Sequence, residues 1–250
     1  MANQMYLAAA PVAAVPGVGP ITHVIFDMDG LLLNTESMYS IASETILARY
    51  GKKFTYELKA QMMGRRAIEA SQILVDAMQI PMTAEEYHVE REAQLEKLFP
   101  QAQLLPGVER LVRHLHAHGI PMAVATGSSA RIFKIKTSQH TELFSLFHHI
   151  VTSDDPECKH SKPQPDIFLL AMKRFAPAPT SSTQVLVFED APLGVQAAIN
   201  ANMPVVMIPD LRVAPADRAR ATLSFDSMAD FDPGMVAGLP AYSSAAGAGL

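Results

Sequence analysis

The chain has 250 residues, of which 49% are hydrophobic, and its formal net charge at pH 7 is −5. This length can bury a sizeable core in one or two domains, and the lack of any basic run argues against a nucleic-acid or membrane partner. The one cysteine, Cys158, cannot form an intrachain disulfide, so we expect a reducing compartment.

The two ends of the chain are predicted to lie outside the folded part. Residues 1–20 are rich in Ala, Val and Pro and contain no Lys or Arg, which matches neither a signal peptide nor a mitochondrial transit peptide. Residues 241–250 are rich in Ser, Ala and Gly. We expect a disordered N-terminal extension and a flexible C-terminal tail. Because no apolar run reaches the length of a membrane span, we also expect a cytoplasmic monomer without a membrane partner.

The first predicted strand ends at two carboxylates. The apolar run Ile21–Phe26 is rich in β-branched residues, which is typical of a short buried strand, and Asp27, Asp29 and Gly30 follow it directly. Residues two apart in an extended segment point the same way, so both aspartates could reach one centre or share a metal ion. The stretch Asp27-Met28-Asp29-Gly30 would also suit an ordinary surface turn, and the rest of the chain decides between the two interpretations.

Helical periodicity predominates after this strand. Between residues 37 and 103 it predicts four helices and no convincing strand. The helices are expected at about Met38–Tyr50, Tyr56–Met63, Ala67–Met78 and from the cap residue Thr83 to about Leu98. This part of the chain therefore forms a compact helical insert directly after the first strand.

From residue 104 onward, short apolar strands alternate with helices. Strands are predicted at Pro121–Ala125, His149–Thr152, Val185–Phe188 and Pro204–Ile208. Helices are predicted between them, including Pro165–Phe175. Alternation of this kind is typical of βαβ units, and it predicts an α/β protein with a parallel sheet.

Polar residues follow three of the predicted strands. They are the pairs Asp27/Asp29, Thr126/Ser128 and Glu189/Asp190. The carboxyl ends of parallel strands meet at one edge of a sheet, so these side chains should lie close together. Lys162, in a loop before another helix, is the only candidate for a fixed positive charge among the carboxylates. Carboxylates that can hold a metal, one lysine, and hydroxyl and amide donors together indicate a phosphoryl-group site.

These residues resemble the motifs of the haloacid dehalogenase superfamily, in the subgroup with a small helical cap inserted after the first motif. The similarity runs from about Thr22 to Ile208. The four motifs are matched by Phe26-Asp27-Met28-Asp29-Gly30, by Thr126, by Lys162 in Lys-Pro-Gln-Pro-Asp, and by Phe188-Glu189-Asp190-Ala191-Pro192. Stretches around Lys136–Val151 and Asp154–Glu157 are further similar to eukaryotic pseudouridine-5'-phosphatases and plant-type glycerol-3-phosphate phosphatases.

The resemblance implies a Rossmann-like parallel sheet core of residues 21–36 and 104–240, with a four-helix cap domain of residues 37–103. It implies a phosphatase that hydrolyses a small phosphate monoester through an aspartyl-phosphate intermediate. The candidate substrates are nucleoside, sugar and polyol phosphates, among them pseudouridine 5'-phosphate. Asp27 would be the nucleophile and Asp29 the general acid and base. Mg²⁺ would be held by Asp27, the main-chain carbonyl of Asp29, Asp190 and Glu189. Thr126, Gly127 and Lys162 would bind the phosphoryl oxygens.

Substrate choice is expected to depend on the cap. Gly64 would let a loop approach the site, where Arg65 or Arg66 could bind a polar substrate, although both arginines would equally suit a solvated helical turn. Asn34 departs from the subgroup, which commonly has Asp there, so local hydrogen bonding near the hinge of the cap is expected to differ.

Two other functions stay open at this point. A sugar phosphomutase uses the same core, but the corresponding branch has a His on the first cap helix that helps to hold back water, and this chain has Tyr39 near that place. A non-catalytic binding protein on the same fold is the other alternative. The presence of every chemically required side chain favours an enzyme, and the acid at Asp29 favours a phosphatase over a dehalogenase.

Overall fold

The computed structural model describes residues 19–62 and 67–243. Almost all of the expected N-terminal extension and most of the expected tail lie outside these ranges. Among the described helices, none combines the length and the apolar character that crossing a membrane requires.

The described residues form a six-stranded parallel sheet with the order β3-β2-β1-β4-β5-β6. The predicted α/β fold with a parallel sheet is confirmed. The last strand, β6, was not predicted, because two residues are too short to show a pattern. The strands are β1 His23–Phe26, β2 Met122–Thr126, β3 His149–Thr152, β4 Val185–Glu189, β5 Val205–Met207 and β6 Leu223–Ser224.

Helices connect the strands and supply the insert after β1. The first four are α1 Glu36–Ala48, α2 Tyr56–Met62, α3 Ala67–Met78 and α4 Ala84–Leu98. The others are α5 Val108–Ala117, α6 Ala130–Lys136, α7 Thr141–Phe144, α8 Asp166–Lys173, α9 Pro192–Asn200 and α10 Pro215–Arg218. Short 3-10 turns lie at Phe99–Gln101, Ser182–Gln184, Met228–Asp230 and Pro233–Met235.

Several element ends differ from the predicted ones by a few residues. The first strand begins at His23 rather than Ile21, because the Ile21 amide donates to the Ala237 carbonyl (2.7 Å) instead of to a neighbouring strand. The helix predicted from Pro165 begins one residue later, with Pro165 as its N-cap.

The sheet carries an apolar cluster on each face because its residues alternate in direction. In β1 and β4, Val24, Phe26 and Phe188 belong to one cluster, whereas Ile25 and Val187 belong to the other. Phe26 and Phe188 stack across the strand pair with ring centroids 4.9 Å apart. Helices on both faces bury these strands, which explains why all their residues except His23 and Glu189 are apolar.

The inserted helices α1–α4 pack around a third apolar cluster of their own. Its fully buried centre includes Ile46, Leu74 and Tyr87, one from each of three helices. Helix α4 begins with a capping box, in which the Thr83 side chain accepts from the Glu86 amide (3.1 Å) and Glu86 accepts from the Thr83 amide (2.8 Å). A separate core supports the proposed division into core and cap domains, whose boundaries stay a prediction.

Candidate active site

The candidate site is a cavity of about 880 Å³ at the carboxyl ends of β1, β2 and β4. Its floor contains the predicted acidic residues Asp27, Asp29, Glu189 and Asp190 together with Lys162. Its walls include residues of α1–α4, so the cavity lies between the inserted helices and the sheet. Asp27 is only 6% exposed, which rules out the surface-turn interpretation of this stretch.

Asp27 continues β1, and its amide donates to the Phe188 carbonyl of β4 (3.0 Å). The Lys162 ammonium lies between two carboxylates, with Nζ 2.5 Å from Asp27 Oδ1 and 2.6 Å from Glu189 Oε1. Burial raises the pKa of Asp27 to about 7, and the nearby Glu189 adds to this effect, while Lys162 opposes it. One lysine therefore does not compensate the negative charge at this place.

Three carboxylates form a cluster that could hold a metal ion. Oxygens of Asp27, Glu189 and Asp190 lie within 4.8 Å of one another. Burial raises the pKa of Asp190 well above its usual range, and the charges of Glu189 and Asp27 raise it further. A buried group of hard oxygen ligands with excess negative charge fits a hard divalent cation.

Two glycines make room for this cluster. Gly30 has a φ of +78°, and a Cβ added there would collide with the Asp190 carboxylate. A Cβ added to Gly194, in α9, would collide with the Glu189 carboxylate. The acidic side chains therefore pack directly against backbone, which restricts the positions that they can take.

Asp29 contacts a different set of residues from those that Asp27 contacts. Its Oδ1 accepts from Lys136 Nζ (2.5 Å) and from the Thr35 hydroxyl (2.7 Å), and its Oδ2 accepts from the Ser128 hydroxyl (2.9 Å). Burial works to raise the pKa of Asp29, but Lys136 and the two hydroxyls outweigh it and hold the pKa below its usual value. The two aspartates line one cavity, yet each makes an ion pair with its own lysine.

Lys136 was missed in the sequence, and the prediction that Lys162 is the only fixed positive charge is wrong. The Lys136 side chain is fully buried, and its ammonium also donates to the Tyr39 hydroxyl (2.9 Å) and to Ser128 Oγ (2.9 Å). Nζ lies 4.3 Å from the centroid of the Phe99 ring. No local signal distinguishes it, since Lys134, two residues earlier on the same helix, is exposed.

The predicted phosphate-binding residues at the end of β2 divide into buried and cavity-lining positions. Thr126 is fully buried, and its Oγ1 accepts from the Ser128 amide (3.0 Å) and donates to Asp29 at 3.4 Å. Gly127 and Ser128 line the cavity. The phosphate-binding role of Thr126, Gly127 and Lys162 stays a prediction.

The predicted specificity residues Gly64, Arg65 and Arg66 lie outside the described residues. Asn34 is exposed at the start of α1, where its amide donates to the Gln103 carbonyl (2.9 Å) and its Oδ1 accepts from Ser37 (3.2 Å). The main-chain hydrogen bond from Asn34 to Gln103 joins the two chain segments that lead into and out of the insert.

A family described as haloacid dehalogenase-like hydrolase matches residues 24–208. The chain is 53% identical over 225 residues to (DL)-glycerol-3-phosphatase 2 of Arabidopsis thaliana, a match that covers 89% of this chain and 94% of that protein. It is 48% identical over 224 residues to a Drosophila melanogaster protein named "Probable pseudouridine-5'-phosphatase", covering 89% and 96% of the two chains.

One solved structure illustrates the shared fold. The crystal structure of CbbY from Rhodobacter sphaeroides in complex with phosphate has a TM-score of 0.69 to this chain and 23% identity. The match covers 84% of this chain and 96% of that chain.

Proposed function

The chain belongs to the haloacid dehalogenase-like hydrolase family, and we propose that it is a phosphatase that hydrolyses a small phosphate monoester through an aspartyl-phosphate intermediate. The observation that carries this proposal is the pair of aspartates at the end of β1. Asp27 lies beside Lys162 and the cluster of Glu189 and Asp190, whereas Asp29, two residues later, lies beside Lys136 and hydroxyl groups.

In the first step, a carboxylate oxygen of Asp27 attacks phosphorus, and the bond from phosphorus to the ester oxygen breaks. Asp29 gives its proton to the departing alkoxide, so that the leaving group departs as an alcohol. Asp29 favours the carboxylate form in the structure, but an incoming phosphate dianion raises the pKa of a neighbouring carboxyl by like-charge repulsion, which promotes the protonated form.

In the second step, water attacks the phosphorus of the aspartyl phosphate, and the bond from phosphorus to Asp27 breaks. Asp29 accepts the proton of the attacking water, which returns it to its protonated form. The Lys162 ammonium and the donors of Thr126, Gly127 and the neighbouring Ser128 stabilise the charge of the equatorial phosphoryl oxygens.

The proposed cofactor is Mg²⁺, held by Asp27, Asp190, the main-chain carbonyl of Asp29 and, directly or through water, Glu189. It would shield the negative charge of Asp27 from that of the phosphate. The assignment of Mg²⁺ to this cluster rests on the oxygen ligands that the cluster offers and on the raised pKa values of Asp27 and Asp190.

The proposed substrates are those in the names of the similar proteins, glycerol 3-phosphate and pseudouridine 5'-phosphate. A cavity of about 880 Å³ is large enough for either ester. We further propose a monomer that works in the cytoplasm, in keeping with its single cysteine.

The test is phosphate release in the presence of Mg²⁺ from pseudouridine 5'-phosphate, uridine 5'-phosphate, glycerol 3-phosphate and hexose 6-phosphates. We expect turnover of at least one ester and a loss of at least about a thousandfold in Asp27→Asn, because no nucleophile is left. Asp76→Asn, an exposed aspartate of α3, is the matched control and should retain activity.

Three outcomes would contradict the proposal. Equal turnover by Asp27→Asn would exclude an Asp27 phosphoryl intermediate. Isomerisation of a sugar phosphate without phosphate release would indicate a mutase. If no ester were hydrolysed or isomerised, a binding protein on this fold would be the remaining alternative.

A further inference from the structure

Arg91 lies in the wall of the active-site cavity, on the inserted helix α4. The same cavity contains Asp27, Asp29 and Asp190 on its floor. A phosphoryl group bound at the floor has its leaving group directed into the remaining volume, which the inserted helices enclose. Arg91 therefore borders the space that the leaving group fills.

The Arg91 guanidinium makes no hydrogen bond or ion pair with the residues of the described ranges, and its Nε is buried without a partner. Among the residues that the structure describes, the other cations lining the cavity are paired. Lys59 contacts Glu36 (2.8 Å), Lys162 contacts Asp27, and Arg212 contacts Asp210 (2.7 Å). Because Nε is closed off from the cavity, the donors that face a ligand are the two terminal nitrogens of the guanidinium, and a ligand oxygen that accepts from them would give Arg91 the partner it lacks.

Contacts with Tyr39 restrict the position of this guanidinium. The Arg91 Cζ lies 5.0 Å from the centroid of the Tyr39 ring. The Tyr39 hydroxyl in turn accepts from the buried Lys136 ammonium (2.9 Å). Stacking on a ring that is itself held in place reduces the freedom that Arg91 would lose when a ligand binds.

Charges close to Arg91 limit the chemistry of the ligand. Glu92, the next residue on α4, lines the same cavity, as does Glu36, whose charge Lys59 compensates, so a second anionic group on the substrate would meet a carboxylate as well as Arg91. A hydroxyl group suits both kinds of neighbour, since its oxygen accepts from a guanidinium and its proton is donated to a carboxylate.

We propose that Arg91 is a specificity-determining residue, which binds the oxygen atoms of a neutral, hydroxylated leaving group such as a polyol or a ribosyl unit. This inference rests on the proposed phosphatase function and names the part of the substrate that the inserted helices recognise. Arg91 takes no part in the transfer of the phosphoryl group itself.

The test compares two classes of ester in wild type, Arg91→Gln and Arg91→Lys. Glycerol 3-phosphate and pseudouridine 5'-phosphate carry hydroxyl groups on the leaving group, whereas p-nitrophenyl phosphate carries none. We expect the ratio of kcat/KM for a hydroxylated ester to that for p-nitrophenyl phosphate to fall about tenfold or more in Arg91→Gln, mainly through KM. Arg91→Lys should stay impaired because it lacks the planar set of donors.

Arg49→Gln is the matched control. Arg49 is the C-cap residue of α1, is half exposed and pairs with Glu90 rather than lining the cavity. This variant should keep the wild-type ratio of kcat/KM values.

The outcomes separate the inference from the proposed function. An equal loss on all esters in Arg91→Gln would make Arg91 a structural residue and overturn the inference alone, as would an unchanged ratio. A larger loss of kcat/KM in Arg91→Gln for 2-phosphoglycolate, whose leaving group carries a carboxylate, would overturn the proposal that the leaving group is neutral. If wild type released phosphate from no ester, the proposed function would fail, and the inference with it.

Discussion

Asp27 and Asp29 show how strongly the surroundings of a carboxylate set its chemistry. The two residues belong to one short segment, but burial among other carboxylates raises the pKa of Asp27 to about 7, whereas Lys136 holds the pKa of Asp29 below its usual value. Pairs of titratable groups with pKa values displaced in opposite directions are typical of acid–base sites.

Mg²⁺ and protons should compete for the cluster of Asp27, Glu189 and Asp190. Because the pKa values of Asp27 and Asp190 are raised, these groups bind protons near neutral pH, and a proton must leave before the metal binds. The affinity for Mg²⁺ should therefore increase as pH rises through about 7. Calorimetric titration of Mg²⁺ at pH 5.5 and at pH 8 measures this difference.

The raised pKa of Asp27 also makes the stability of the folded protein depend on pH. A raised carboxyl pKa contributes stability that is present below the unfolded value and is lost as pH rises through about 7. Mg²⁺ should consequently raise Tm more at pH 8 than at pH 5.5. An equal or smaller rise at pH 8, or an affinity independent of pH, would contradict the assignment of the metal to this cluster.

At the scale of single elements, helix α9 supports the acidic cluster through its backbone. It follows β4 directly, begins at Pro192, whose fixed φ suits a first helical position, and places Gly194 against the Glu189 carboxylate. The Glu189 Oε2 accepts from the amides of Asp190 and Ala191 (3.0 and 3.2 Å), just before the helix. The turn from strand to helix thus orients a possible metal ligand.

Gly194→Ala should displace Glu189 and weaken Mg²⁺ binding. An added Cβ would collide with the Glu189 carboxylate, and changes in groups that orient metal ligands cost about 10–100-fold in metal affinity. The measurement is the Kd for Mg²⁺ by calorimetry.

The control for this substitution is Gly19→Ala, where an added Cβ would meet open space. It should keep the wild-type Kd. An unchanged Kd in Gly194→Ala would mean that Glu189 moves without consequence for the metal.

At the scale of the whole molecule, two separately packed regions meet at the site. One is the sheet with its apolar clusters, and the other is the set of inserted helices. Apolar clusters cover both faces of the sheet, and the inserted helices have a further cluster. Lys136 connects them, since it is carried by α6 beside the sheet and contacts both Asp29 after β1 and Tyr39 of α1. The contact with Asp29 joins residues that are 107 positions apart.

Lys136→Met should destabilise the protein by about 3 kcal/mol, because it leaves the Asp29 carboxylate without its buried cation. Unfolding in urea measures this difference. Lys134→Met, on the exposed side of the same helix, is the matched control and should change the free energy of unfolding by less than about 0.5 kcal/mol. Equal stability of the two variants would contradict a structural role for the buried pair.

Much of the fold could be predicted from local sequence. Strands such as Met122–Thr126 and Val185–Glu189 consist of apolar runs that end in one polar residue, and the capping box of Thr83 and Glu86 is visible as residue types at a fixed spacing. Strand β6 was not predicted because its pairing with β5 depends on the surrounding packing. Element ends differed where a backbone group found a partner far away in the sequence, as Ile21 did with Ala237.

The sequence by itself determined the parallel sheet and the meeting of Asp27, Asp29, Lys162, Glu189 and Asp190 at one edge, because strand ends and acidic residues are local features. Only the tertiary structure decided that Lys136 is buried beside Asp29 and that Arg91 borders the same cavity. Both are ordinary basic residues on helices, and their surroundings consist of side chains from distant segments. Whether such a residue is buried and paired depends on how distant segments pack together, and the spacing of residues along the sequence does not show this.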